Sequence, residues 1–169
     1  MSRGSFRIVG AVVLALVASG GVASGQDARP APPYLAEFRA FLDTLHEAHE
    51  EYVNGRPAAF KALWSQRPDV TIFGGFGSGE HGWKSVGPRL DWASAQFEKG
   101  TRSREVISTV VTAELGYVVQ LERVRFTVPG QSTRSLLELR VTMIARREPE
   151  GWRIVHRHGD SQMTKQPPR

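Results

Sequence analysis

Imidazoles and guanidiniums alternate near the end of the chain, in Trp152-Arg-Ile-Val-His-Arg-His158. As a strand, this stretch sends Trp152, Ile154, His156 and His158 to one side and Arg153, Val155 and Arg157 to the other. Two apolar residues followed by two histidines describe a hydrophobic floor leading to a polar pocket, where an imidazole can give or take a proton near neutral pH. Arg140, between Leu139 and Val141 on the preceding strand, carries a fixed fork of donors suited to a carboxylate or a developing oxyanion. Alternation alone leaves either face open to it. If buried it needs an acceptor, and Glu122 on the neighbouring strand or an anionic ligand would serve. Asp160 closes the same last strand. The candidate catalytic groups are therefore His158, Arg140 and Asp160. The candidate ligand-binding set adds Tyr52, Trp64, Phe73, Trp83, Tyr117, Glu122 and His156.

Two histidines at i and i+2 are not a metal site without a third ligand, and His49, His81 and Asp160 stand at no diagnostic spacing. No metal or cofactor is expected. The glycine-dense loop Gly74-Gly-Phe-Gly-Ser-Gly79 lacks the Gly-Lys-Ser/Thr ending of a phosphate cradle and reads as a turn beside Trp83.

The elements that must position these groups follow from periodicity. Phe38, Phe41 or Leu42, Leu45, Ala48 or His49, and Tyr52 or Val53 recur at helical spacing over residues 34–54, and Asn54-Gly55 is a stop. Pro57 opens a second short helix ending near Trp64. A brief strand covers Asp69 to Phe73, and a third helix runs from Ser85 or Val86 to Glu98, closed by Lys99-Gly100. Four strands follow: Arg104–Thr112, Leu115–Val128, Thr133–Arg147 and Gly151–Asp160. Their short connections predict an antiparallel meander. Val106, Val110, Val119, Leu121 and Leu139 are more apolar surface than three modest helices cover, which predicts a homodimer.

The chain has 169 residues, five histidines and no cysteine. Arg3 and Arg7, the apolar run Ile8–Val17 and Ala23-Ser-Gly25 predict a signal peptide over 1–25, and so an exported protein, periplasmic or secreted. The run is short for a permanent span, so no stable membrane insertion is expected after cleavage. Cleavage removes two arginines and no acid, lowering the formal charge from +5 to +3. Basic residues are spread among acids without interleaved aromatics, which argues against nucleic acid. Residues 26–33 read as a leader, 34–161 as one domain and 162–169 as a disordered tail.

Three helices with a short strand after the second, then a curved four-stranded meander, resemble the nuclear-transport-factor-2-like superfamily over residues 34–161. Within it the chain resembles the SnoaL-like group, with its ketosteroid-isomerase-like members. Asp69-Val-Thr-Ile-Phe-Gly-Gly-Phe-Gly77, Gly82-Trp83 and Leu139–Arg147 running into Gly151–His158 carry the resemblance. The last block is also similar to the end of the association domain of calcium/calmodulin-dependent protein kinase II, whose cavity holds a buried arginine and a nearby histidine, features that Arg140 and His158 match. The resemblance implies an α+β cone, three N-terminal helices packed in a strongly curved antiparallel sheet, with a cavity inside and dimers common. No aspartate projects from the short strand into the interior, so the carboxylate base of steroid isomerisation has no counterpart there.

Three functions fit. The first is an exported domain that binds a small acidic or carbonyl-bearing molecule in an aromatic/Arg/His pocket. The second is a cofactor-independent isomerase, lyase or hydrolase with His158 as acid or base. The third is a structural oligomerisation module working through its outer sheet face.

Overall fold

The structure, a computed structural model, describes residues 31–77 and 79–164. The expected signal peptide and the end of the tail lie outside them. Helix α1 spans Pro33–Tyr52 and buries Phe38, Phe41, Leu45, Ala48, His49 and Tyr52 along one stripe. Its end is tied by Asn54, whose side-chain amide donates to Glu50 O at 2.8 Å and to Gly100 O at 3.0 Å, while its Oδ1 accepts from Gly100 N. Helix α2, Ala58–Ala62, follows Pro57 and anchors Phe60. Helix α3 covers Trp83–Ser94, starting earlier than periodicity indicates, with Pro88 inside it. It begins at Gly82, whose φ of +78° suits glycine and whose missing Cβ makes room for Pro68 O. Lys99-Gly100 does not close this helix but belongs to the next strand.

The strands are β1 (Thr71–Phe73), β2 (Gly79–His81), β3 (Glu98–Val111), β4 (Leu115–Thr127), β5 (Arg134–Glu148) and β6 (Gly151–Asp160). They form one sheet in the order β2-β1-β6-β5-β4-β3. The meander β3 to β6 is antiparallel as expected, but β1 lies parallel to β6, which makes the sheet mixed. The three helices pack against the inner face of this curved sheet. There Phe38 meets Trp152 edge to face at 4.8 Å, and Phe60, Trp64, Leu90 and Ile154 are fully buried.

One irregularity decides which side chains face inward. In the β5–β6 ladder Ala145 pairs with Ile154 and Ile144 with His156, so Val155 is an extra residue on β6. A bulge of this kind shifts the strand's alternation by one. Trp152 and Ile154 point into the core as expected. Beyond the bulge Arg157 and Gly159 are buried, His156 is half-buried and His158 is exposed. The expected inner face of Trp152, Ile154, His156 and His158 is therefore wrong in its second half.

Candidate functional site

A cavity lies between the C-terminal half of α1, α3, the loop after β1 and the inner face of β4 to β6. Its apolar walls include Phe60, Ile72, Leu90, Phe97, Val124 and Leu139. The space that the centre of a water molecule can reach inside is about 50 Å³, enough for a few waters or part of a small ligand. Its polar lining comes from Glu122, Arg157, His49, Tyr52 and Arg89.

Glu122, 1 % exposed, is the centre of this lining. Arg157 Nη2 donates to its Oε2 at 2.8 Å, Gln120 Nε2 donates to its Oε1 at 2.6 Å, and Arg102 Nη2 lies 3.8 Å from Oε1. Burial alone would push the carboxyl pKa up. Attraction from Arg157, His49 and Arg102, with the Gln120 hydrogen bond, outweighs burial and brings it down to about 2. Glu122 is therefore ionised throughout the physiological range.

Arg102 donates to His46 Nδ1 at 2.7 Å, so that nitrogen must be unprotonated, and its Nε is buried without a partner. His49 is inward-facing because it follows Leu45 by four residues and precedes Tyr52 by three. Its ring packs on Phe60 at 4.8 Å and Tyr52 at 5.6 Å. Desolvation, against the pull of Glu122, holds its pKa well below the usual histidine value, and Arg102 and Arg157 lower it further. His49 is a neutral imidazole at pH 7. Burial raises the Tyr52 hydroxyl pKa far enough that it stays a protonated donor.

Of the residues expected at the site, the cavity receives Tyr52 and Glu122. The three expected catalytic groups do come together, but on the outer face. Arg140, its side chain 54 % exposed, donates to Asp160 Oδ1 at 2.7 and 3.0 Å. The next pair along that ladder is Thr142 with His158. Phe73, expected in the pocket wall, is exposed beside them, its ring 5.4 Å from His158 and 5.8 Å from His156. His156 shares a 2.8 Å hydrogen bond with Thr71 Oγ1 on the outer face. Tyr117 is also exposed on that face, across from Ile144. Trp64 is plain core, and Trp83 sits outside the cavity against Gly87 and Lys61. The bulge at Val155 corrects His156 and His158, and strand register corrects Arg140.

The residues missed were Arg157, His49, Arg102, Gln120 and Arg89. Two signals pointed to them. His49 was legible in the α1 stripe, and Gly159, two residues beyond Arg157, is the small neighbour a buried arginine needs. A Cβ there would stand 2.9 Å from Arg157 Nη1.

The profile of the SnoaL-like domain matches residues 40–164. The chain belongs to the SnoaL-like domain family. No curated protein matches it. Among solved structures it is similar to a nuclear-transport-factor-2-like superfamily protein from Salmonella enterica serovar Typhimurium, with 14 % identity over 78 % of this chain and 95 % of that one, TM-score 0.65. A ketosteroid isomerase-like protein from Erwinia carotovora atroseptica gives 13 % identity, 78 % and 98 % coverage and TM-score 0.60. A candidate calcium/calmodulin-dependent protein kinase type II association domain from Thiobacillus denitrificans gives 17 %, 74 % and 94 %, and 0.60. At these identities the likeness establishes the cone fold, which this SnoaL-like chain shares, and no activity. Among the described residues no helix is long and apolar enough to cross a membrane.

Proposed function

We propose that this SnoaL-like domain binds a small acidic or carbonyl-bearing molecule inside its cone, at Arg157 beside Glu122. The observation that carries this reading is the Arg157–Glu122 pair standing at the surface of a mostly apolar cavity. A guanidinium has five N–H donors, and one hydrogen bond to Glu122 leaves others for a ligand oxygen. The surrounding apolar walls keep water away and strengthen such a contact. Among the charges that line the cavity, Arg157 and Arg89 outnumber Glu122, which favours an acceptor-rich ligand.

The test is calorimetric titration with short ketones and oxo acids on the wild type and on the double variant Glu122→Gln/Arg157→Met. That variant removes both charges of the pair together, and circular dichroism checks that it is folded before titration. Binding to the wild type and its loss in the folded double variant support the reading; equal affinities overturn it.

A second reading is acid–base catalysis in the same cavity, with His49 in the role expected of His158. What favours it is a neutral imidazole among the cavity-lining residues. Proton exchange at the α-carbon of a bound ketone, followed by NMR in D2O, is expected in the wild type and absent in His49→Phe. Exchange at an equal rate in both rules His49 out.

A further inference from the structure

Arg89 differs from the arginine deeper in the cone. Helix α3 brings Arg89, Leu90 and Ala93 to the cavity, with Leu90 fully buried and Arg89 half-buried. The guanidinium of Arg89 lies 4.2 Å from the Trp92 ring centroid, and its Nη2 donates to Gly77 O at 3.1 Å. Both partners are neutral. Among the described residues no carboxylate forms an ion pair with Arg89, whereas the charge of Arg157 is met by Glu122 at 2.8 Å. Exposed Trp92 and Phe76, 5.6 Å apart edge to face, mark this end of the cavity as its mouth. Both arginines act on the Tyr52 hydroxyl, so one lining residue feels the deep cation and the outer one.

These charges have an order. In the deep site Glu122 stands against Arg157, so a ligand carboxylate placed there would meet Glu122 as well as Arg157. A carbonyl oxygen placed there would accept from Arg157 without that repulsion. The uncompensated cation is at the mouth, beside an aromatic ring, where a carboxylate can stay partly hydrated while it pairs. Between the two ends the wall is apolar, formed by Ile72, Leu90, Phe97, Val124, Leu137 and Leu139.

We infer that the ligand is an oxo acid bound in one direction, its carboxylate at Arg89 in the mouth and its carbonyl oxygen at Arg157 within. This rests on the reading that the cone takes a small polar molecule at Arg157, and it assigns the acid and the carbonyl to opposite ends of one molecule. Arg89 is then the residue that selects for the acid. Its bond to Gly77 O and its stacking on Trp92 hold the fork in place before the ligand arrives.

The experiment titrates levulinate, pentanoate and 2-pentanone into the wild type, Arg89→Gln and the Glu122→Gln/Arg157→Met variant. The wild type should bind levulinate most tightly. Arg89→Gln should weaken levulinate and pentanoate at least roughly tenfold, the scale of one charged hydrogen bond, and leave the ketone unchanged. The double variant should weaken levulinate and the ketone and spare pentanoate. Acid affinity that survives Arg89→Gln but disappears in the double variant overturns the orientation while leaving Arg157 as the binding residue. If the folded double variant binds all three probes like the wild type, or no probe binds the wild type, the underlying reading fails instead.

Discussion

Arg157 reaches Glu122 across an intervening strand. The two residues stand on β6 and β4, with β5 between them, and close to 2.8 Å because Gly159 leaves a groove along which the guanidinium lies. The interior face of β5 beneath the bridge is apolar, with Leu139, Val141 and Met143 buried. The pair is thus both the polar centre of the cavity and a clamp across three strands.

Removing Arg157 alone should cost more than removing it together with Glu122. Arg157→Met alone leaves the Glu122 carboxylate in an apolar interior, and a loss of roughly 3–5 kcal/mol is expected in urea denaturation. The Glu122→Gln/Arg157→Met variant should recover only part of that loss, because buried Arg102 is left without its carboxylate. Equal losses in the single and double variants would mean that the pair is not coupled.

Acid should weaken the fold in two stages. The pKa of His49 is held below its usual value of 6.5 in the folded chain, so the unfolded chain binds the extra proton first. Stability from this group is complete above pH 6.5 and falls as the pH drops below it. Glu122 follows the same sign, with stability present above 4.5 and lost as the pH falls towards about 2. In full this second stage amounts to about 3 kcal/mol. Denaturation curves between pH 7 and 2 should show His49→Phe flattening the upper stage and Glu122→Gln the lower.

The outer sheet face carries the case for a dimer. Val110, Leu115, Tyr117 and Leu136 are exposed there, while two residues expected among them lie on the inner side, Leu139 buried and Val106 opposite inward-facing Gln120. Val110, Tyr117 and Ile144 form one row across three strands. The wild type should sediment as a dimer at micromolar concentration. Tyr117→Lys/Ile144→Lys should sediment as a folded monomer, and an unchanged mass in that variant would remove this face from the interface.

Gly100 should tolerate no side chain. A Cβ there would stand 2.0 Å from Val53 O, where backbone cannot give way, and the Asn54 amide bridges both its backbone groups. Gly100→Ala is expected to destabilise by roughly 2–3 kcal/mol in the same denaturation assay.

Export remains a proposal drawn from Arg3, Arg7, the apolar run after them and Ala23-Ser-Gly25. N-terminal sequencing of protein recovered outside the cytoplasm should begin at or near Gln26. Intact cytoplasmic protein starting at Met1 would contradict it.

The cone itself was legible in the sequence because its evidence repeats. The α1 stripe from Phe38 to Tyr52 returns at each turn, and β4 to β6 are long enough for their limits to be found within a residue or so. Strand β2 was missed because Gly79-Glu-His81 has no apolar residue to announce it. The cavity was read less well for a different reason. Alternation counts residues on one strand and assumes one partner for each, an assumption that Val155 breaks. Arg140 failed for want of any local signal, since its strand neighbours fit either face.

The extra residue at Val155 gives β6 the character of a text with two reading frames. Its far half alternates His156, Arg157, His158, Gly159, and the offset presents arginine and glycine to the interior. If Val155 instead paired regularly with Ile144 and no bulge formed, the imidazoles would turn inward and the guanidinium would go to the surface, with no substitution in the strand. Glu122 would then face proton-exchanging rings in place of a permanent cation. Relatives that differ here only in whether the strand bulges can therefore hold the same letters and enclose opposite chemistries, so motif matching along this strand is meaningful only once the register is known.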